Sequence, residues 1–253
     1  MSAPQRRSGE DSYRGFASIY DATMGDAAFP TVWGAFERAR NQHGITFASA
    51  CDVGCGTGRF LSSLRRHEAQ LFGVDLSAAM LQRAARRLQG TGIRLLRQDM
   101  RALQLPQRVD LITCNFCTLN YCASDEDLAA TLAACRANLT PGGHLIADVL
   151  TDRGPLDGPA EVVQEISLSS GHSRWQISLE PSGSGSVVEM STVMRDRSGR
   201  QHAWRETHRQ RWYREPLLRS LLDQSGFKVL STQHMDATAT DAQHWLQFVT
   251  GAS

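Results

Sequence analysis

The chain has 253 residues, with 27 Lys and Arg against 26 Asp and Glu, for a formal net charge of +1. That balance gives no bulk attraction to nucleic acid or to an anionic membrane. Lys228 is the only lysine, so Schiff bases, phosphate-loop lysines and lysine general bases are nearly ruled out by count.

The opening residues, MSAPQRRSGEDSYRG, carry charge but no apolar stretch. A loose tail over 1–12 is expected, not a secretory signal. Residues 13–24 have helical spacing, with Phe16, Ile19 and Tyr20 on one face, and a second helix is expected over 32–41. Strand and helix signals then alternate. Strands are expected at 49–53, 70–74, 93–97, 109–115 and 144–150. Helices are expected at 59–66, at 78–88 behind the N-cap Ser77, and at 125–139 with an acidic first turn. The last of these should stop at Pro141-Gly142-Gly143. Such alternation argues for an α/β fold with a parallel, doubly wound sheet.

From 161 to 213 the period becomes two, with Gly/Ser-rich turns at 181–185 and 197–199. These segments read as an inserted antiparallel β lid. A helix at 215–224 ending at Gly226, then strands at 227–232 and 244–250, complete the sheet. The expected divisions are a tail (1–12), a core (13–153), a lid (154–213) and the C-terminal part of the core (214–253). Of the six cysteines only Cys114 and Cys117 form a C-x-x-C pair. With no second pair, no metal site is expected, and the thiols read as small core hydrophobes.

The segment 50–58, ACDVGCGTG, carries the most information. Gly54, Gly56 and Gly58 let backbone turn sharply beside a nucleotide-sized ligand. Asp52 puts a carboxylate where a dinucleotide loop would receive pyrophosphate, so a ligand with a cationic ammonium group fits better. Arg59 stands where the dinucleotide fingerprint needs its third glycine, and no G-K-[ST] follows. DVGCGTG at 52–58 followed by GVDLS at 73–77 resembles the first two motifs of class I S-adenosylmethionine-dependent methyltransferases. The resemblance implies a Rossmann-like, seven-stranded sheet with its last strand antiparallel, S-adenosyl-L-methionine (SAM) as cofactor, and S-adenosyl-L-homocysteine (SAH) as product.

Ligands of open α/β sheets sit outside the carboxyl ends of the strands. Asp75 ends the second strand, where a carboxylate can accept two hydrogen bonds from a ribose diol. The resemblance implies the remaining cofactor contacts. Asp99 would accept from the adenine amine, beside Met100, with Leu76 and Met80 against the ring. Asn115 would hold the methionine portion, Asp52 would face its ammonium, and Tyr13 and Tyr20 would cap its carboxylate end. Bland alternatives stay open: strand-end aspartates serve as turn caps, methionines as core fillers, and Tyr20 as helix packing.

On the acceptor side, Phe116-Cys117-Thr118-Leu119-Asn120-Tyr121 resembles the substrate loop of bacterial small-molecule methyltransferases. WRETHRQRWY at 204–213 resembles their E-x-H-x-x-R-x-Y lid segment, which antibiotic amino-sugar N-methyltransferases share. Some of those carry histidine at the place of Tyr121. Strand alternation puts Trp204, Glu206, His208 and Gln210 on one face. If that face meets the cleft, His208 is the catalytic base, Glu206 orients it, and Tyr121 is the other substrate contact. Ion pairs with arginines across the lid are the alternative.

The expected function is in-line methyl transfer to nitrogen or oxygen of a small molecule, plausibly in secondary metabolism, without a metal. The rival is a SAM-binding cyclase or pericyclase that keeps the methyl group. An NAD oxidoreductase is opposed by Arg59 and Asp52. A nucleic-acid methyltransferase is opposed by the lack of a basic tail and of an N-P-P-[YF] motif. The partner expectation is a small-molecule acceptor, no nucleic acid and no membrane, with a homodimer left open. No apolar run approaches the roughly 20 residues of a membrane span, and a cytoplasmic setting is expected.

Overall fold

Strands β1 (Ser49–Val53) and β4 (Val109–Cys114) are buried at nearly every position, as strands covered on both faces must be. The computed structural model describes residues 13, 15–152, 161–196, 198–235 and 244–252; the expected tail at 1–12 lies outside them. Around β1 and β4 stand β2 (Gln70–Asp75), β3 (Arg94–Arg97), β5 (Leu139–Leu150), β10 (Phe227–His234) and β11 (Trp245–Ala252). The order is β10-β11-β5-β4-β1-β2-β3. β1 pairs in parallel with both β2 and β4, whereas β11 is antiparallel to both β5 and β10. This is the expected doubly wound Rossmann-like sheet with its last strand reversed. The strand order changes direction between β1 and β4, the switch point where such sheets open a crevice.

Helices α1 (Asp26–Gln42), α2 (Arg59–Leu64) and α3 (Ala78–Arg87) cover one face, and α4 (Asp125–Asn138) and α5 (Glu215–Gln224) the other. The pleat divides the strands between them: Ala50, Leu111 and Ile146 join Phe36 and Phe60, whereas Cys51, Ile112, Cys114 and Leu145 join Leu128, Leu132 and Leu222. All six cysteines are buried and free. Burial pushes the thiols up, Cys122 to about 11 and Cys135 to about 12, so they pack as hydrophobes. Among the described residues no helix is long and apolar enough to cross a membrane.

Strands β6 (Glu161–Leu168), β7 (Gly171–Leu179), β8 (Gly185–Arg195) and β9 (Gln201–Arg211) form a separate antiparallel sheet in that order. The register aligns Trp175 with Met190 and Met190 with Glu206. Trp175 and Met190 meet Phe16 and Ile19 in a third apolar cluster. The leading segment therefore packs on this small sheet.

Three expected elements differ. The helix over 13–24 is broken into one turn, Phe16–Ser18, and a widened turn, Asp21–Gly25, that runs into α1. The cause is tertiary: Asp21 is drawn to Thr57 and Arg87, and Tyr13 is left-handed at φ 67°. α1 begins at Asp26 instead of at 32 and runs through Pro30, whose missing donor removes only one bond near the helix start. Pro141-Gly142-Gly143 does not end α4. The chain enters β5 at Leu139, and these residues form the irregularity between the pairs Val109–Leu139 and Leu111–His144. A Cβ on Gly143 would lie 3.0 Å from the Thr140 and 3.1 Å from the Asp110 carbonyl oxygen, so a larger residue would have to push the backbone back by a few tenths of an ångström.

Candidate active site

A cavity of about 680 Å³ opens at the carboxyl ends of the parallel strands, between the large sheet and the lid sheet. Its floor is the turn after β1. Gly54, at φ 70°, donates its N–H to the Val74 carbonyl at 2.7 Å. A Cβ on Gly54 would lie 2.4 Å from the Thr118 side chain, so glycine is required for close approach as well as for conformation. Gly54 and Gly56 line the cavity. Gly58 does not; it lies against Ala84 of α3 and Leu88 just past its end.

Asp75 lies at the wall, and its two oxygens accept the Gly56 and Ser77 N–H groups, each at 2.8 Å. Burial raises its pKa, and those N–H groups work against the rise. Leu76 and Met80 line the same side, and Ser77 caps α3 through the Met80 N–H. Asp99 and Met100 line the far end. There the Asp99 carboxylate is clasped by Arg101, whose Nη2 stands 2.6 Å from Oδ2 and which also reaches Asp127 at 2.9 Å. The sequence offered no sign of that clasp.

Asp52 and Asn115 are behind the wall, not in it. Asp52 is 3% exposed and accepts the Thr113 hydroxyl at 2.7 Å. Burial lifts its carboxyl to about 7; the Thr113 bond opposes the rise, and the charges of Asp75 and Asp148 add to it. Asn115, beside it, also helps hold the Asp52 carboxyl down, and both its amide heteroatoms are buried with no well-formed hydrogen bond among the described residues. Asp148, fully buried, accepts the Phe116 and Cys117 N–H groups at 2.9 and 2.6 Å and the Trp245 indole at 3.0 Å. Its signal in the sequence is an aspartate inside the apolar run HLIADVL, which needs buried partners. Two buried carboxylates, Asp52 and Asp148, thus lie beneath the half-buried Asp75 at the floor of the cavity, and a negative floor suits a cation.

The opposite wall is built from distant segments. Tyr13, Tyr20 and Tyr121 line it, with Ser186 and Gln210 from the lid sheet. The Tyr13 and Tyr121 hydroxyls are hydrogen-bonded, and Tyr121 Oη lies 3.3 Å from His208 Nδ1. His208 Nε2 stands 3.4 Å from Glu206 Oε2. Glu206 accepts the N–H groups of Tyr13 at 3.1 Å, Phe16 at 3.0 Å, and Gly15. Burial pushes Glu206 up, but His208 and the Phe16 and Gly15 N–H groups outweigh it and hold the carboxyl below its ordinary value.

This arrangement corrects the placement of His208 and Glu206 in the cleft. Their face of β9 is covered by the leading segment, with the Tyr13 ring 4.6 Å from the His208 ring. His208 is 3% exposed, and Tyr121 stands between it and the cavity. Among the described residues Glu206 does not pair with lid arginines either; its partners are three backbone N–H groups and His208. Of the motif's remaining members, Arg211 pairs with Asp125 at 2.6 Å. Buried Tyr213 donates to the Leu119 and Cys122 carbonyls, bracing the turn that carries Tyr121. A second clasp, also unforeseen, joins the leading segment to the glycine turn: Arg87 bonds Thr57 and Asp21, and Thr57 bonds Asp21.

Residues 50–143 match the family model described as a methyltransferase domain. The chain is 31% identical over 141 residues to the YqeM protein of Bacillus subtilis (strain 168), covering 54% of this chain and 55% of that one. It is 34% identical over 107 residues to dTDP-3-amino-3,6-dideoxy-alpha-D-glucopyranose N,N-dimethyltransferase of Streptomyces fradiae, covering 42% of this chain and 41% of that one. The chain thus spans about half the length, or less, of these curated relatives. Its fold is that of an S-adenosylmethionine-dependent methyltransferase from Clostridium acetobutylicum ATCC 824, with a TM-score of 0.80 at 22% identity over 95% of this chain and 99% of that one.

Proposed function

We propose that this chain, whose residues 50–143 carry a methyltransferase domain, is a SAM-dependent methyltransferase that modifies nitrogen or oxygen of a small molecule. The observation that carries the reading is Asp75, held at the cavity wall by the Gly56 and Ser77 N–H groups. That carboxylate is rigid, in contact with the glycine turn, and turned toward a space of nucleoside size. Asn115, with its buried amide short of a well-formed hydrogen bond, and the negative floor around Asp52 suit the polar and cationic end of the same ligand. The donor set therefore fits SAM.

SAM supplies a methyl group on a sulfonium that carries its own leaving group. The chain's work is then to bind, orient and exclude water, and positioning of this kind contributes up to about 7–11 kcal/mol. Asp75 would hold the ribose hydroxyls, and Leu76, Met80 and Met100 would flank the adenine. Asp99, whose two oxygens already accept four hydrogen bonds from Arg101, would border the adenine amine. Tyr13 and Tyr20 would close the methionine end. Tyr121 touches the acceptor. Its phenol, pushed up by burial, stays protonated and hydrogen-bonds the nucleophile. His208 receives a proton through Tyr121 Oη at Nδ1, while Nε2–H faces Glu206. His208 and Glu206 thus act from behind Tyr121.

The S. fradiae relative, by its name, methylates a sugar amine, which supports an amine or hydroxyl acceptor of natural-product type and favours transfer over cyclisation. We propose the division into a core (13–153 and 214–253) and an acceptor-side lid (154–213) on the same grounds. A cytoplasmic setting and no nucleic-acid partner complete the proposal. A thermal-shift screen tests it: SAM and SAH should raise the melting temperature while NAD(P) does not. Stabilisation by NAD(P) alone would overturn it.

A further inference from the structure

We infer that Asp148 is the positioning residue that locks the Phe116–Cys117 turn against the cofactor loop and thereby sets Tyr121 in the cavity. The inference rests on the cofactor reading for its functional consequence, but its geometry stands independently. Phe116 and Cys117 both adopt φ 58°. Two consecutive left-handed residues that are neither glycine nor asparagine are unfavourable unless the surroundings hold them. Asp148 supplies that hold: Oδ2 accepts the Phe116 N–H and Oδ1 the Cys117 N–H. The Trp245 indole also donates to Oδ1, at 3.0 Å. Successive N–H groups converging on one anion make a backbone nest, here occupied by the protein's own side chain.

The turn transmits this geometry to the cavity. Thr118 follows it, bonded to the Asn115 carbonyl at 2.8 Å and set against Gly54 in the space a Cβ would need. The Cys117 carbonyl accepts the Asn120 N–H at 3.0 Å, starting the single turn Thr118–Tyr121. Asn120 ties that turn to Leu150 and to the Arg211 carbonyl of the lid. A slack turn at 116–117 would release Thr118 from the glycine loop and Tyr121 from His208 together.

The test uses the full chain with SAH as probe. Asp148→Asn exchanges one acceptor oxygen for a donor facing an N–H, and should weaken SAH binding about tenfold, the scale of one hydrogen bond to a charged group. Cooperative unfolding should persist. Adding Cys117→Gly, which reaches the left-handed region without strain, should recover part of the loss, about threefold. A core residue without this role would not be rescued by glycine one strand away. Wild-type affinity in Asp148→Asn, or no recovery in the double variant, would overturn the inference. If Asp148→Asn does not fold, or wild type binds no SAH (which sinks the cofactor reading instead), amide exchange of the wild-type chain decides. Slow exchange at Phe116 and Cys117 supports the lock, and exchange at the rate of an open loop refutes it.

Discussion

The two walls of the cavity are built differently. The floor is local: glycine turn, Asp75 and Ser77 lie within 24 residues of one another, between positions 54 and 77, and bond mainly through backbone. The acceptor wall is assembled from far apart, with Tyr13 bonding Glu206 across 193 residues and Tyr121 meeting His208 across 87. The floor is therefore rigid and its chemistry generic. The wall depends on the leading segment being seated, and there the acceptor would be selected. Catalytic order on that side is a property of tertiary packing.

The comparison can be broken first at the floor. Asp75→Ala should lower SAH affinity by at least about 100-fold, since it removes a charged acceptor and orphans two N–H groups. Circular dichroism should stay native, and retained affinity would show that the floor does not hold the ribose. On the opposite wall, Tyr121→Phe should reduce turnover of a cognate acceptor by about 100-fold with SAH affinity within about twofold of wild type. His208→Ala should lower turnover about tenfold, a smaller effect because it acts through Tyr121. A loss in His208→Ala exceeding that in Tyr121→Phe would reverse the proposed order of the two groups.

Glu206→Gln sharpens the contrast. It should cost about 1–3 kcal/mol, seen as a lower melting temperature and faster proteolysis near residue 15, with the floor untouched. The mildest effect is a pH dependence. Asp52 has its pKa raised to about 7, so near pH 6 it is protonated in the free protein. A cationic ligand favours the ionised form, so SAM should bind more weakly as pH falls from 8 to 6 and release a proton on binding. Calorimetry in buffers of different ionisation enthalpy reads that proton. Asp52→Asn should flatten the dependence, and a flat wild-type profile would remove Asp52 from the ammonium's surroundings.

What was legible in the sequence follows the same division. The strands of the sheet and the lid came through because hydrophobic period and turn residues are local signals; the reversed last strand came only from the resemblance carried by the motifs at 52–58 and 73–77. Asp75 and the glycines came through because a strand-end motif implies its own geometry. The burial of His208 was not legible: alternation puts Glu206, His208 and Gln210 on one face but does not say what covers it, and Phe16 and Tyr13 cover it from nearly 200 residues away. Asp21 turned outward to Arg87, and so broke the leading helix, for the same reason. Pro141-Gly142-Gly143 misled because glycine serves both helix stops and close strand approach.

The most direct test of the central claim is calorimetric titration of the full chain with SAH, beside the Asp75→Ala variant. The expected result is one site on the wild-type protein with a Kd of the order of micromolar, about −8 kcal/mol, and no measurable heat from the variant. Equal binding by both proteins, or silence from the wild type, would contradict the account.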